Sequence, residues 1–236
     1  MNIKWTIPRK KQPVWRVVRR ILKPFCKVKK VEFLGEQFPE KCIIVANHNN
    51  KKGPLIYELN LPIFHVTWGA YQMLGSYKDR YLYLRNVLYI QKNGVGKIRA
   101  TIKASFEALF SIFFYKGIKV LPSFPDARLR RTLQYSIDVL DSNSSLLIFP
   151  EDSGKGYFDE MVKFFPGFVM LAEQYYKRSG EDLPVFPLYW GRKKNKIVVG
   201  KPLYVNQLAK EGFDRYQIAE KFKEEINTLY RDHFME

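Results

Sequence analysis

Two apolar runs end in residues able to move protons. Ile43-Ile44-Val45-Ala46 stops at Asn47-His48 and gives way to the polar loop Asn49-Asn50-Lys51-Lys52-Gly53. About a hundred positions on, Leu146-Leu147-Ile148-Phe149 stops at Pro150-Glu151-Asp152-Ser153. Each run has the length and bulk of a strand buried on both faces in a parallel sheet. A histidine and an acidic cluster at two such strand ends stand where open α/β sheets gather their ligands. Unperturbed histidine titrates near pH 6.5, so His48 keeps enough neutral imidazole at cellular pH to serve as a general base. The pattern describes a base and its electrostatic surroundings.

The same residues resemble the 1-acylglycerol-3-phosphate acyltransferase (PlsC-like, lysophospholipid acyltransferase) family. Its first motif, Asn-His-x-x-x-x-Asp, is matched by Asn47 to Gly53 except at the last position, and the first half of its third, Phe-Pro-Glu-Gly-Thr-Arg, by Phe149-Pro150-Glu151, which Asp152-Ser153-Gly154 follow here. Leu183-Pro184-Val185-Phe186-Pro187 looks like the fourth, a Pro-flanked apolar strand. The second is the poorest. Val120-Leu121-Pro122-Ser123 has the right distance to Glu151 but neither polar residue, whereas Tyr89-Ile90-Gln91-Lys92 is closer in character but too far along the chain. The resemblance covers roughly 31–203 and implies an α/β domain with a mixed, largely parallel sheet flanked by helices. It also implies acyl transfer from acyl-CoA or acyl carrier protein to the hydroxyl of an anionic, lysophospholipid-type acceptor, with no cofactor, metal or covalent intermediate.

Under that resemblance His48 is the base, and Glu151 with the residues after it belongs to the acceptor-phosphate pocket. Asn47, Asp152 and Ser153 join the substrate site. Gly154 replaces the motif Arg, but Lys155 follows at once, and Lys51 and Lys52 lie in the His48 loop. The family's motif Asp orients the histidine, and Gly53 cannot. Loss of the corresponding carboxylate in the serine-protease triad, a worked case, costs roughly 10⁴-fold in rate. Either Glu58, Asp79, Glu151 or Asp152 has taken that role, or turnover is weak or absent and the chain is a lipid-binding relative.

Composition limits the alternatives. The 236 residues carry 40 Lys plus Arg against 23 Asp plus Glu, a formal charge of +17, which favours an anionic partner such as a membrane surface. Nucleic acid is supported by charge alone, with no binding motif beside it. Cys26 and Cys42 have no paired spacing, so both read as small buried apolar residues of a protein in a reducing cytoplasm. His65 and His233 lack partners at metal-ligand spacing and read as structural. Gly94-Val95-Gly96-Lys97 lacks the first Gly and the Ser/Thr of a phosphate loop, and Ser123 and Ser153 lack a nucleophile elbow. No run reaches the ~18 apolar residues of a membrane span, and the charged N-terminus does not resemble a signal peptide. The expected location is therefore the inner face of a membrane, peripherally bound.

The elements that must position these groups follow from periodicity. Residues 1–30 form a basic amphipathic segment, with Pro13 opening and Pro24 closing a helix whose apolar face is Trp15, Val18 and Leu22, joined by Ile21 and Phe25. Its basic edge suits either an anionic leaflet or solvent. The acyltransferase-like domain occupies 31–236, with part of 79–116 as an insertion. Val31 to Gly35 and Lys41 to Ala46 read as strands joined by a turn at Gln37 to Glu40. A long helix from Lys97 to Gly117 carries Ile98, Ile102, Phe106, Leu109, Phe110, Phe113 and Phe114 on one broad face, a stripe that at helical spacing predicts core. A strand over Ile118 to Leu121 precedes a helix from Ala127 to Leu140 capped by Asp126. Arg128, Arg130 and Arg131 in its first turn oppose the helix dipole, a cost that a bound phosphate would relieve. Helices over Phe168 to Tyr176 and Tyr216 to Phe234, and strands over Val185 to Trp190 and Lys196 to Val199, complete a single α/β domain.

Overall fold

The β2–β5 pairing at the centre of the sheet follows from the sequence. Strand β2 (Ile43–Ala46) is buried at every position and β5 (Ser145–Ile148) likewise, so each needs strands on both sides and cover on both faces. A computed structural model of the chain, which describes residues 5–49 and 52–235, supplies both. The other strands are β1 (Lys30–Phe33), β3 (His65–Ala70), β4 (Val120–Ser123), β6 (Pro184–Gly191), β7 (Lys196–Val199) and β8 (Leu203–Tyr204). The order across the sheet is β1-β7-β6-β2-β5-β3-β4, with β8 also on β6. From β6 to β4 all neighbours are parallel, while β7 and β8 run antiparallel to β6.

Side chains alternate between two cores, as the period of a strand requires. Ile43 and Val45 face the larger core with helices α5 (Leu129–Asp141), α6 (Gly167–Ser179) and α8 (Arg215–Phe234). Ile44 and Ala46 face the other with Tyr57 of α2 (Gly53–Asn60), Leu147 and Phe186. Each fully buried side chain of this kind contributes about 1.5–3 kcal/mol. Helix α7 (Val205–Lys210) sits between α6 and α8. Among the described residues no helix is long and apolar enough to cross a membrane.

The structure corrects several expectations. β1 and β2 are not partners: β1 lies at the sheet edge on β7, and Phe38 of the connecting segment packs on Phe33 and Phe186. The half-exposed Lys-Val-Glu-Phe of β1 suits an edge, where Glu32 pairs with Lys196 at 2.5 Å, whereas β2 requires a central place. Helix α5 begins at Leu129 rather than Ala127, and Asp126 accepts from the Arg128 N–H just before it.

A further correction concerns α4 (Lys97–Gly117), whose aromatic stripe faces outward. Its buried face is Ala100, Ala104, Ala108 and Ser111, which lets α3 (Tyr77–Leu82) and the wide π-type turn Tyr83–Lys92 approach closely and form a small core with Met73, Leu84, Leu88 and Tyr89. Bulk and burial therefore part company on this helix. Phe106 is 67% exposed and Phe110 65%.

Helix α1 (Pro13–Cys26) starts at Pro13 as the sequence predicts, but runs two residues past Pro24 into its last turn. It docks through Trp15, whose indole N–H donates to Glu58 at 3.2 Å and whose ring lies against Phe113 and Phe114. Val14, Val17, Ile21 and Phe25 stay exposed. The docking depends on Gly117, because a Cβ there would meet the Trp15 ring at 2.2 Å. Gly117→Ala should therefore lower stability by about 1–3 kcal/mol and free α1. Urea denaturation and limited proteolysis of residues 5–26 check this, an unchanged midpoint and cleavage pattern being the contrary result.

Candidate active site

The register of β2 on β5 brings the two motif ends together. Ile43 stands opposite Leu146 and Val45 opposite Ile148, and the same offset carries His48 to Glu151. The carboxylate of Glu151 accepts the backbone N–H groups of His48 and Phe158. Glu151 is 9% exposed, and burial is the main cause that pushes its carboxyl up to about 7, against the opposing pull of those N–H groups and of the Lys92 charge. The half-buried imidazole of His48 stacks on Tyr157 at 5.1 Å and meets the edge of Phe149 at 4.8 Å.

Lys92 completes this cluster, and the sequence reading missed it. It ends the π-type turn, donates to Ser153 Oγ at 2.6 Å and lies 5.5 Å from the Tyr157 ring centroid. Burial pulls its ammonium down, while the charges of Glu151 and Asp152 hold it up. Tyr89 to Lys92 is the block that seemed too far along the chain. The turn folds it back onto Ser153, so the rejected distance was one along the chain rather than through space.

A cavity of about 360 Å³ opens from His48, walled by Pro54 and Leu55 of α2, Trp68 and Gly69 of β3, and Phe110 and Phe114 of α4. Its walls are mostly apolar, with Tyr83, Tyr115 and Tyr157 adding hydroxyls and Glu107 a carboxylate that accepts from the Tyr89 hydroxyl. Glu107 was legible only as the lone acid on an apolar helix.

Other expected site residues lie elsewhere or do other work. Asn47 is 1% exposed and spent on the frame: its Oδ1 accepts from the Tyr57 hydroxyl at 2.6 Å and the Trp190 N–H at 2.9 Å, and its Nδ2 donates to the Trp190 carbonyl at 3.2 Å. It locks the ends of β2 and β6 to α2, with Oδ1 and one N–H of its carboxamide engaged in that frame. Arg128 is bound to Asp126 and stacks over Tyr71 and Phe124, and Arg130 and Arg131 lie exposed on α5. That helix follows β4, three strand positions from β2, or roughly 14 Å at the usual spacing. The three arginines are therefore not brought to His48. Asp152 turns on the Gly154 N–H at 3.2 Å and lies 4.0 Å from Lys163. Lys52 precedes α2 beside the His48 loop, while Lys51 and the side chain of Lys155 lie outside the described residues.

The candidates for the orienting acid sort in the same way. Glu58 is buried against Lys119 at 2.5 Å, Trp15 and, at 3.7 Å, His65, whose imidazole burial pushes down to about 4. Asp79 caps α3. Glu151 is the carboxylate set beside His48. Gly53 itself has a positive reason to be glycine, because a Cβ there would lie 2.0 Å from the His48 carbonyl oxygen. The first turn of α2 has closed onto the base and taken the space of a side chain.

In a comparison with solved structures the chain superposes on the crystal structure of the 1-acyl-sn-glycerophosphate (LPA) acyltransferase PlsC from Thermotoga maritima, with a TM-score of 0.51 and 15% identity, covering 97% of this chain and 86% of that one. The likeness establishes an α/β fold with a mixed, mostly parallel sheet flanked by helices. No family model and no curated protein matches the sequence.

Two outcomes follow from this geometry. Gly53→Asp should not restore an orienting acid but destabilise the fold by ~2 kcal/mol or more, since backbone must move to admit the side chain; a rise in activity with an unchanged denaturation midpoint would contradict it. Glu151 holds its proton in the folded state between its ordinary value of 4.5 and about 7, so stability should fall as pH rises through that interval and level off above it. The slope is up to about 1.4 kcal/mol per pH unit, and Glu151→Gln should flatten it in urea denaturation across that range.

Proposed function

We propose that the chain is a peripheral membrane acyltransferase that moves a fatty acyl group from acyl-CoA or acyl carrier protein to the hydroxyl of an anionic, lysophospholipid-type glycerolipid. The observation that carries this reading is the position of His48 at one end of an apolar cavity, with Glu151 beside it on the neighbouring strand. Likeness to a glycerolipid acyltransferase fold supports it.

In the reaction, neutral His48 takes the proton of the acceptor hydroxyl as its oxygen attacks the thioester carbonyl. The tetrahedral oxyanion collapses, the C–S bond breaks, and the imidazolium returns the proton to the departing thiolate. Stacking on Tyr157 and an edge contact with Phe149 hold the imidazole ring. Lys92 and Lys52 supply the positive charge for the acceptor's phosphate that Gly154 no longer offers. The cavity takes the acyl chain.

A second reading is a lipid-binding relative with little or no turnover. Gly53 favours it, because the space of an orienting carboxylate is closed. Release of free CoA from acyl-CoA across a panel of lysophospholipids separates the two. The first reading expects His48→Ala to reduce the rate by roughly 10²–10⁴-fold, with Lys92→Ala raising KM for anionic acceptors more than it lowers kcat. No release from any acceptor, with lysolipid still bound, would establish the second.

A further inference from the structure

We propose that α4 and the outer stripe of α1 form one face that lies in the plane of an anionic lipid leaflet, with the cavity's α4 wall turned toward the acyl chains. The expectation of membrane contact rested on residues 1–30, but the structure puts the larger apolar surface on α4. Ile98, Ile102, Phe106, Leu109 and Phe110 are each more than half exposed, and Phe113 and Phe114 continue the stripe. Soluble proteins rarely leave so many large side chains uncovered together. On α1, Val14, Val17, Ile21 and Phe25 form a second stripe, with Phe25 85% exposed.

The two stripes are continuous. Trp15 lies against Phe113 and Phe114, and Val14 and Phe113 border the same surface groove of about 370 Å³. Charge then selects the occupant. The polar edges of α1 carry Arg16, Arg19, Arg20 and Lys23 and no acid, and those of α4 carry Lys97, Arg99, Lys103 and Lys116. Glu107, the one acid of α4, is turned inward onto Tyr89. A second copy of this chain would bring the same cations against themselves in an isologous contact, whereas each of these cations is attracted to an anionic leaflet. The 21 residues of α4 include too many charges to cross a bilayer, but an exposed apolar face with basic edges suits the interface. Phe110 and Phe114 belong both to this face and to the wall of the cavity beside His48, so docking would set hydrocarbon against that wall.

The consequence for acyl transfer rests on the function proposed above, but the docking face can be tested without turnover. The full chain is floated with vesicles of phosphatidylcholine containing phosphatidylglycerol, and with phosphatidylcholine alone. Replacing Ile102, Phe106 and Leu109 together by Ser should reduce partition into the anionic vesicles about tenfold or more, with the thermal unfolding midpoint unchanged because these side chains are already exposed. Tyr216→Ser, an exposed aromatic on α8, should bind as the parent does, and so should His48→Ala, even if the function proposed above proves wrong. Undiminished partition of the triple variant would overturn the proposal. So would a dimer in sedimentation that the same three substitutions dissolve, since the face would then belong to a second copy.

Discussion

The site depends on one parallel pairing. β2 and β5 are short, uniformly apolar and buried, and their register sets the two places where the chain leaves the sheet side by side. Because parallel neighbours end on the same side, the residue after each strand faces the same cleft. His48 and Glu151 meet for that reason. Slipping the register by one residue would turn every side chain of β2 to the opposite core and part the pair. The Asn47 bridge to β6 and the contact of α2 with the His48 carbonyl then fix the angle at which the base leaves the strand.

Much of this was legible in the sequence, because strand burial and strand ends are local properties. The runs before His48 and Glu151 and the Pro-flanked Val185-Phe186 block become the adjacent trio β6-β2-β5. Helix bounds near Lys97, Gly117 and Phe234 followed from periodicity. What could not be read were properties set by distant partners. Lys92 reaches Ser153 only because a π-type turn redirects the chain. The resemblance put Asn47 in the substrate site, but two strand ends claim its carboxamide. The arginines of α5 stay apart from His48 because β4 lies at the edge of the sheet, an order that the sequence does not reveal.

Helix α4 shows the same limit from the other side. Its bulky residues and its alanines both recur at helical spacing, so two faces competed for the core. The close approach of α3 and the π-type turn settled the matter in favour of the small residues. Aromatic mass was left on the surface, above a cavity that shares two of its phenylalanines. One helix thus closes the cavity on one side and presents apolar surface on the other.

The most direct test of the central claim is a crystal structure with a nonhydrolysable acyl-CoA thioether bound. The account predicts the acyl chain in the cavity between α2 and α4, and the atom in place of the thioester carbonyl close enough to His48 that an acceptor oxygen fits between them, within about 3.2 Å of a ring nitrogen. A chain bound on another surface, with the cavity beside His48 unfilled, would contradict it.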